Sequence, residues 1–234
     1  MSLEKLKDIS MYYSDKAIVI NRDCLDVLKM FEDREIDLIF TDPPYGINIS
    51  RGKNTIGNGN MAKCRDYGVA DWDIERINKE YFSEISRISK EQAIFGANYY
   101  TDYTEYIKPT ASWVIWDKRC SNELRNNFGD GELCYISKKI PTRIYRYIWS
   151  GFIREDKTDR IHPTEKPIAV ANYILSLFNL EKNSIILDPF GGSGNLLKAA
   201  IEKGFRIIYI EKQEKYCLLM KEWLKKYEQQ EKLF

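Results

Sequence analysis

Short apolar runs alternate with amphipathic stretches along most of the chain. Runs such as Ile36–Thr41 are almost continuously apolar, which is typical of strands that are covered on both faces of a sheet. In the stretch from Ile74 to Ile88, apolar residues instead recur at helical spacing. Strands that alternate with helices predict an α/β sheet protein. The predicted strands are Ala17–Ile20, Ile36–Thr41, Gln92–Gly96, Trp113–Trp116, Ser184–Leu187 and Arg206–Ile210.

Composition is that of an ordinary globular protein. The chain has 234 residues, of which 36 are basic and 35 acidic, and it is long enough to bury a sizeable core. No apolar run approaches the roughly 18 residues of a transmembrane helix, and the first residues are charged where a signal peptide is apolar. The five cysteines form no CxxC pair. We therefore expect no metal site, no disulfide framework and a reducing cytoplasm.

Positive charge is concentrated in two stretches of this nearly neutral chain. Residues 50–65 are rich in glycine and asparagine and contain basic but no acidic residues, which is typical of a mobile basic loop. Residues 138–160 contain seven basic and three acidic residues, with aromatic residues between them. Each stretch fits either a solvated face or a surface for an anionic partner.

The tetrapeptide Asp42-Pro43-Pro44-Tyr45 directly follows the predicted strand Ile36–Thr41. It could be a proline-stiffened strand exit, but open α/β sheets bind ligands outside the carboxyl ends of their strands. Proline fixes φ and lacks an amide hydrogen, so the carbonyls here can accept hydrogen bonds on a rigid backbone. A carboxylate beside such a carbonyl can accept both hydrogens of an exocyclic amine, and the tyrosine ring offers a face for stacking a base.

A glycine-rich turn, residues 187–194 (LDPFGGSG), joins a second predicted strand to a helix that begins near Asn195. Its glycines allow a ligand to approach the backbone closely, and the helix N-terminus favours an anionic group. The next strand ends in Glu211, whose carboxylate could accept hydrogen bonds from ribose hydroxyls. Neither the GxGxxG spacing nor a P-loop lysine is present. A nucleoside ligand without a pyrophosphate therefore fits better than NAD or ATP.

Together the two motifs resemble the DNA amino-methyltransferases, which methylate adenine N6 or cytosine N4 with S-adenosylmethionine. The order of the motifs, Asp42 before Asp188, is similar to that of the circularly permuted β class. Only one helix follows Glu211, so the strand Ala17–Ile20 and the helix Cys24–Phe31 are expected to complete the cofactor half of the sheet. The resemblance implies a doubly wound, mostly parallel, Rossmann-like class I methyltransferase fold. It is strongest with small phage- or prophage-type adenine methyltransferases.

The resemblance also implies how the first motif works. A base flipped out of the duplex would stack on Tyr45, while Asp42 and the carbonyl of Pro43 accept the hydrogens of its amine. The chain would thus be an adenine-specific, site-specific DNA methyltransferase. The predicted catalytic residues are Asp42, Pro43, Pro44 and Tyr45.

For the cofactor, the resemblance implies that Glu211 binds the ribose and that Asp23 lies near the adenine. Thr164 and Lys166 are expected to help hold the methionine carboxylate, and His162 is interpreted as a structural residue of its loop rather than a general base. The remaining residues expected to bind S-adenosylmethionine are Cys24, Asp188, Phe190, Gly191, Gly192, Ser193 and Gly194.

No stretch is long enough for a separate target-recognition domain. We expect one catalytic domain over residues 1–234, which recognises DNA with loops at about 50–66 and 138–160 and has no membrane contact. A homodimer and a cognate restriction endonuclease are left open. So are cytosine N4 as the target, RNA as the substrate, and a cofactor-binding module without activity. The basic residues expected to bind DNA are Arg51, Lys53, Lys63, Arg65, Lys138, Lys139, Arg143 and Arg146.

Overall fold

The structure is a computed structural model that describes residues 3–47, 75–107, 112–119, 129–150, 153–154 and 165–231. Within these ranges the chain forms eleven strands, five α-helices and short 3-10 helices at Leu3–Ile9 and Ala97–Tyr100. The strands are β1 (Tyr12–Tyr13), β2 (Ala17–Ile20), β3 (Ile36–Thr41), β4 (Ser89–Phe95), β5 (Ser112–Asp117), β6 (Gly131–Ile136), β7 (Arg143–Arg146), β8 (Trp149–Ser150), β9 (Ile153–Arg154), β10 (Ile185–Asp188) and β11 (Arg206–Ile210). The helices are α1 (Cys24–Leu28), α2 (Lys79–Ile88), α3 (Ile168–Leu175), α4 (Asn195–Glu202) and α5 (Glu214–Glu231).

Nine of these strands form one sheet, in the order β1-β2-β11-β10-β3-β4-β6-β5-β7. The neighbours from β2 to β4 are parallel, whereas β6 runs antiparallel to both β4 and β5. Strand β2 pairs in parallel with β11. The expectation that the start of the chain completes this half of the sheet is therefore confirmed, while the evolutionary permutation itself and the phage-type subgroup stay predictions.

Helices cover both faces of the sheet, which is doubly wound as predicted. Helices α1 and α2 lie on one face, and α3, α4 and α5 lie on the other. In β3, Leu38 and Phe40 belong to one buried cluster and Ile39 to the other, because successive side chains of a strand point to opposite faces. Among the described helices, none is long and apolar enough to cross a membrane.

Strands β2, β3 and β11 have the predicted limits, and β4, β5 and β10 differ from them by one to three residues. The predictions missed β6 and β7. Strand β7 lies exposed at the lateral edge of the sheet and has no continuous apolar run, whereas β6 contains the apolar run Leu133–Ile136, which the predictions overlooked. Helix α1 ends at Leu28 rather than Phe31. Helix α2 begins later than its apolar pattern, because the side chain of Asn78 caps it by accepting from the amide of Glu80.

The order of the strands reverses between β10 and β3. The chain proceeds outward from β10 to β11 on one side and from β3 to β4 on the other. Such a switch point leaves a crevice at the carboxyl ends of the two central strands. Asp188 ends β10 and Asp42 directly follows β3, so the topology brings the two predicted motifs to the same crevice.

Candidate active site

A cavity of about 570 Å³ opens at this crevice. Its wall includes the residues from Asp42 to Tyr45, those from Asp188 to Ser193, and Glu211. The hydroxyl of Thr41 donates to Oδ1 of Asp188 over 2.8 Å and joins the ends of the two central strands. A cavity of this volume accommodates a ligand of nucleoside size. The two motifs that were predicted separately therefore face one space.

The glycine turn lies tightly on the strand beneath it. The amide of Gly191 donates to the carbonyl of Ile210 over 2.9 Å, and the hydroxyl of Tyr209 donates to the carbonyl of Gly192 over 2.7 Å. A Cβ on Gly191 would overlap the ring of Tyr209, which is buried and leaves no room for it. Gly194 was also predicted to bind the cofactor, but it does not line this cavity. A glycine is required there because φ is +75° and a Cβ would overlap Met220.

Glu211 is held by backbone amides. Its Oε2 accepts from the amide of Gly192 over 2.9 Å, and its Oε1 accepts from the amide of Gln213 over 2.6 Å. Burial raises the pKa of Glu211 above its ordinary value, and these amide hydrogen bonds oppose the rise. Each carboxylate oxygen has a second lone pair, so Glu211 can still accept hydrogen bonds from hydroxyl groups of a ligand in the cavity.

Asp23 occupies another part of the cavity wall. Its Oδ1 caps α1 by accepting from the amide of Leu25 and also accepts from the hydroxyl of Tyr81, both over 3.1 Å. Burial opposes ionisation of Asp23, but these bonds and Lys212 lower its pKa. Tyr81, on α2, was missed by the predictions because nothing in its local sequence points to Asp23. Cys24 also lines the cavity, and burial raises the pKa of its thiol well above the ordinary value.

Asp42 accepts from two side chains. Its Oδ1 accepts a hydrogen bond from the hydroxyl of Tyr45, and its Oδ2 accepts one from Nζ of Lys166 over 2.5 Å. Burial raises the pKa of Asp42, and the ammonium of Lys166 counteracts that rise. A carboxylate has about four lone-pair positions, so two remain for an amine.

The aromatic residue of the first motif is held by stacking. The rings of Tyr45 and Tyr99 lie 4.8 Å apart at 16°. The close approach of Tyr45 to Gly96 leaves no room for a Cβ at that glycine. The hydroxyl of Tyr100 donates to the carbonyl of Pro44. The 3-10 helix Ala97–Tyr100 thus fixes both the ring and the proline backbone.

Lys166 was predicted to help hold a methionine carboxylate. In the structure its ammonium contacts Asp42 and lies 3.1 Å from Oε2 of Glu132. The segment is fixed by Asn195, whose side chain donates to Oε1 of Glu165 over 2.8 Å and to the carbonyl of Lys166 over 2.9 Å. The structure therefore pairs the ammonium of Lys166 with Asp42, and its contact with a methionine carboxylate stays a prediction.

Glu132 reaches this site because of the direction of its strand. It stands near the start of β6, which runs antiparallel to β4. The first residues of β6 therefore lie at the same end of the sheet as the last residues of β3. Its Oε1 accepts from Nζ of Lys118 over 2.9 Å. Burial opposes its ionisation, but Lys166 and Lys118 lower the pKa of Glu132 to about 2. The sequence analysis looked for site residues directly after predicted strands, and Glu132 stands near the beginning of a strand instead.

With this geometry in place, comparison with known proteins identifies the family. The family model described as DNA methylase, of N6 and N4 type, matches residues 98–222, which is more than half of the chain. This chain belongs to the DNA methylase family. Within it, the chain is 28% identical to YubD of Escherichia coli K12, a methylase by name, over 84% of this chain and 85% of the relative. It is 28% identical to the type II methyltransferase M.HinfI of Haemophilus influenzae, over 85% of this chain and 65% of the relative.

Solved DNA methyltransferases share the fold of this family member. The M1.HpyAVI–SAM complex is 19% identical, with a TM-score of 0.55 over 86% of this chain and 96% of that one. The cytosine-N4-specific PvuII DNA methyltransferase is 12% identical, with a TM-score of 0.57 over 89% of this chain and 86% of that one. At these identities the similarity shows the fold alone, and it confirms the predicted Rossmann-like class I methyltransferase architecture.

Of the basic residues predicted to bind DNA, the four that the structure describes lie in two places. Lys138 and Lys139 follow the carboxyl end of β6, at the end of the sheet opposite Asp42. Nζ of Lys138 donates to the carbonyl of Leu177 over 3.0 Å. Strand β7 carries Arg143 and Arg146 at the sheet edge beside β5. The remaining predicted residues lie outside the described ranges: Arg51, Lys53, Lys63, Arg65, His162 and Thr164.

Among the four described residues, Arg146 lies at the end of the sheet where the cavity opens. It pairs with Asp117 at the end of β5, with Nη2 3.0 Å from Oδ2. Asp117 also accepts from Arg119, and these guanidinium groups lower its pKa to about 2 against the effect of burial. The described part of the stretch 138–160 therefore includes a strand, β7, and DNA binding by its basic residues stays a prediction.

Proposed function

We propose that this DNA methylase transfers the methyl group of S-adenosylmethionine to the exocyclic N6 of an adenine flipped out of DNA. The single observation that carries the proposal is the shared cavity, in which Asp42 and the glycine turn face one space. Exocyclic amines inside a duplex cannot reach such a cavity, so the base has to leave the stack.

The cavity wall has the groups that this cofactor requires. When bound, S-adenosylmethionine supplies an electrophilic methyl group on a sulfonium centre. Gly191 and Gly192 would let it approach the backbone closely, because they carry no side chain, and Phe190 and Ser193 line the same wall. Glu211 would accept hydrogen bonds from its ribose hydroxyls, beside the amides that orient the carboxylate.

Four further residues would serve the cofactor. Asp23 and Cys24 line the same cavity and would lie near the adenine. Asp188 would orient the turn through Thr41 and the amide of Phe190. Thr164 would help to hold the methionine carboxylate, as the resemblance implies.

Asp42 would act on the amine of the target base. Its lone pairs not used by Tyr45 and Lys166 would accept one amine hydrogen, and the carbonyl of Pro43 would accept the other. As the nitrogen attacks, the bond between the methyl carbon and the sulfonium sulfur would break and leave a neutral thioether, and the nitrogen would then release one proton to solvent. The nitrogen loses conjugation and gains positive charge during the attack, so these hydrogen bonds strengthen in the transition state. The ring of Tyr45, supported by Tyr99, would stack on the base and hold its amine in line with the methyl group.

Adenine is favoured over cytosine by the aspartate that opens the first motif and by the resemblance to adenine enzymes. Cytosine N4 is the second candidate, because a cytosine-N4-specific enzyme shares the fold and either base presents an amine to Asp42. We propose that residues 1–234 act as one catalytic domain. DNA recognition would involve the basic residues of 50–66 and, in 138–160, chiefly Arg143 and Arg146.

The proposal is tested by transfer of a labelled methyl group from S-adenosylmethionine to defined polymers. Duplex DNA of mixed sequence is compared with RNA of the same sequence, and the methylated nucleoside is identified by mass spectrometry. We expect N6-methyladenine in the duplex and no label in RNA. N4-methylcytosine in place of N6-methyladenine would establish the cytosine alternative. Binding of S-adenosylmethionine with no transfer to any polymer would favour a module without activity.

A further inference from the structure

Four side chains of alternating charge form a row that begins at the cavity and follows the end of the sheet where it opens. This charge chain consists of Asp42, Lys166, Glu132 and Lys118, joined by nitrogen–oxygen distances of 2.5, 3.1 and 2.9 Å. Its members come from the end of β3, the segment before α3, the start of β6 and the end of β5. Their positions depend on the tertiary fold, because no two of them are neighbours in sequence.

Lys166 is the buried centre of the charge chain. Its side chain is only 8% exposed, and its ammonium lies 5.1 Å from the ring centre of Phe95 and 6.0 Å from that of Tyr45. An ammonium at this depth is stable only when anionic groups replace its lost hydration. Burial opposes its charge, but Asp42 and Glu132 raise the pKa of Lys166 above the ordinary value.

We propose that Lys166 is a positioning residue that keeps Asp42 ionised and oriented toward the substrate amine, and that Glu132 limits how strongly it does so. The inference rests on the proposed function, in which Asp42 accepts amine hydrogens. An ionised carboxylate presents only acceptors, whereas a protonated one presents a donor to an amine that must itself donate. Glu132 competes with Asp42 for the same ammonium, and its negative charge also acts directly on Asp42.

The charges of Lys166 and Glu132 should have opposite effects on the pKa of Asp42. Lys166 lowers the pKa of Asp42, which burial raises, and Glu132 raises it further. Removing the charge of Lys166 should therefore raise the pH at which Asp42 ionises, and removing the charge of Glu132 should lower it. The titratable groups that act on Asp42 from its own loop, the segment before α3, β6 and β10 are Tyr45, Lys166, Glu132, Cys134 and Asp188.

The test is a carboxyl carbon NMR titration of the full chain with ¹³C-labelled aspartate, in which Asp42→Asn assigns the signal. We expect the midpoint of Asp42 to move to higher pH in Lys166→Met and to lower pH in Glu132→Gln. The acid limb of kcat/KM should move in the same two directions, with about a tenfold or larger loss for Lys166→Met on that limb. Lys225→Met, which removes an exposed ammonium paired with Glu222 on α5, should leave both unchanged.

A second comparison covers the case in which Lys166→Met does not fold. The double variant Lys166→Met/Glu132→Gln leaves no unpaired charge between Asp42 and Lys118, and its Asp42 midpoint should exceed that of Glu132→Gln. Midpoints that do not move, or move in the same direction, would overturn the positioning role even if methyl transfer is intact. Opposite shifts without transfer to any nucleic acid would support the positioning role and overturn the proposed function instead.

Discussion

The two sides of the cavity hold their carboxylates by different means. On the side of the glycine turn, backbone amides donate to Asp188 and to both oxygens of Glu211. On the other side, Asp42 is bound by Lys166, which Glu132 contacts in turn. Backbone amides are fixed as soon as the turn forms, whereas the ion pairs depend on remote segments. The turn side should therefore be sensitive to backbone shape, and the Asp42 side to the charge of single side chains.

The largest effect is expected for Asp42→Ala, which removes the acceptor of the amine but leaves the glycine turn intact. Methyl transfer should fall by about 10³-fold, comparable to the loss of a hydrogen-bonding group that acts in the transition state. The affinity for S-adenosylmethionine, measured by calorimetry, should stay within a few-fold. Equal losses of affinity and of transfer would contradict the division between the two sides.

Tyr45 separates the contribution of stacking from that of its hydroxyl group. Tyr45→Ala removes the ring and should reduce transfer by roughly 1–3 kcal/mol of transition-state stabilisation, the range measured for base stacking on aromatic side chains. Tyr45→Phe keeps the stack on Tyr99 but loses the hydrogen bond to Asp42, so activity should persist at a reduced level. Steady-state kinetics of both variants make the comparison, and a phenylalanine variant as inactive as the alanine one would refute the stacking role.

Gly191→Ala tests the turn side. The added Cβ would overlap the ring of buried Tyr209, and overpacking of this kind costs about 1–3 kcal/mol of folding stability. The affinity for S-adenosylmethionine should also fall, and transfer should recover when the cofactor concentration is raised. Gly129→Ala, where a Cβ meets only ordinary contact distances, is the matched control. Unchanged cofactor affinity in Gly191→Ala would show that the turn does not hold the ligand.

The smallest effect concerns Asp188 and pH. Burial raises the pKa of this carboxyl to about 7, so between about pH 4 and pH 7 the folded state binds a proton that the unfolded chain releases. Its contribution to stability is therefore complete below the unfolded-state pKa and is lost as the pH rises toward about 7. Asp188→Asn keeps the acceptor oxygen but does not titrate. Its Tm should depend less on pH than that of the wild type over this interval, and identical slopes would contradict the assignment.

Local patterns predicted the turn side better than the Asp42 side. Asp188, Gly191 and Glu211 stand at strand ends and in a glycine turn, where a short sequence fixes both the conformation and the hydrogen bonds. Glu132 was missed because it starts an antiparallel strand, and its approach to the cavity depends on how β6 is inserted between β4 and β5. Lys166 was found by its motif, but its contacts with Asp42 and Glu132 were not predicted, because a long ammonium side chain can reach several carboxylates.

The dependence on local patterns also explains which strands were predicted correctly and which were missed. Strands covered on both faces, such as β3 and β11, have continuous apolar sequences and were located to the residue. The exposed edge strand β7 has no such pattern, since three of its four residues are exposed. Its basic residues were consequently interpreted as part of a loop, although the structure places Arg143 and Arg146 on the strand.

The most direct test of the account is a crystal structure of this chain with S-adenosylmethionine bound. Its central claim is that one methyl group can pass from a cofactor on the glycine turn to an amine held at Asp42. The account predicts density for the cofactor along Phe190–Ser193 and Glu211, with the sulfonium methyl directed into the space beside Asp42. A cofactor bound elsewhere, or a methyl group directed away from Asp42, would contradict it.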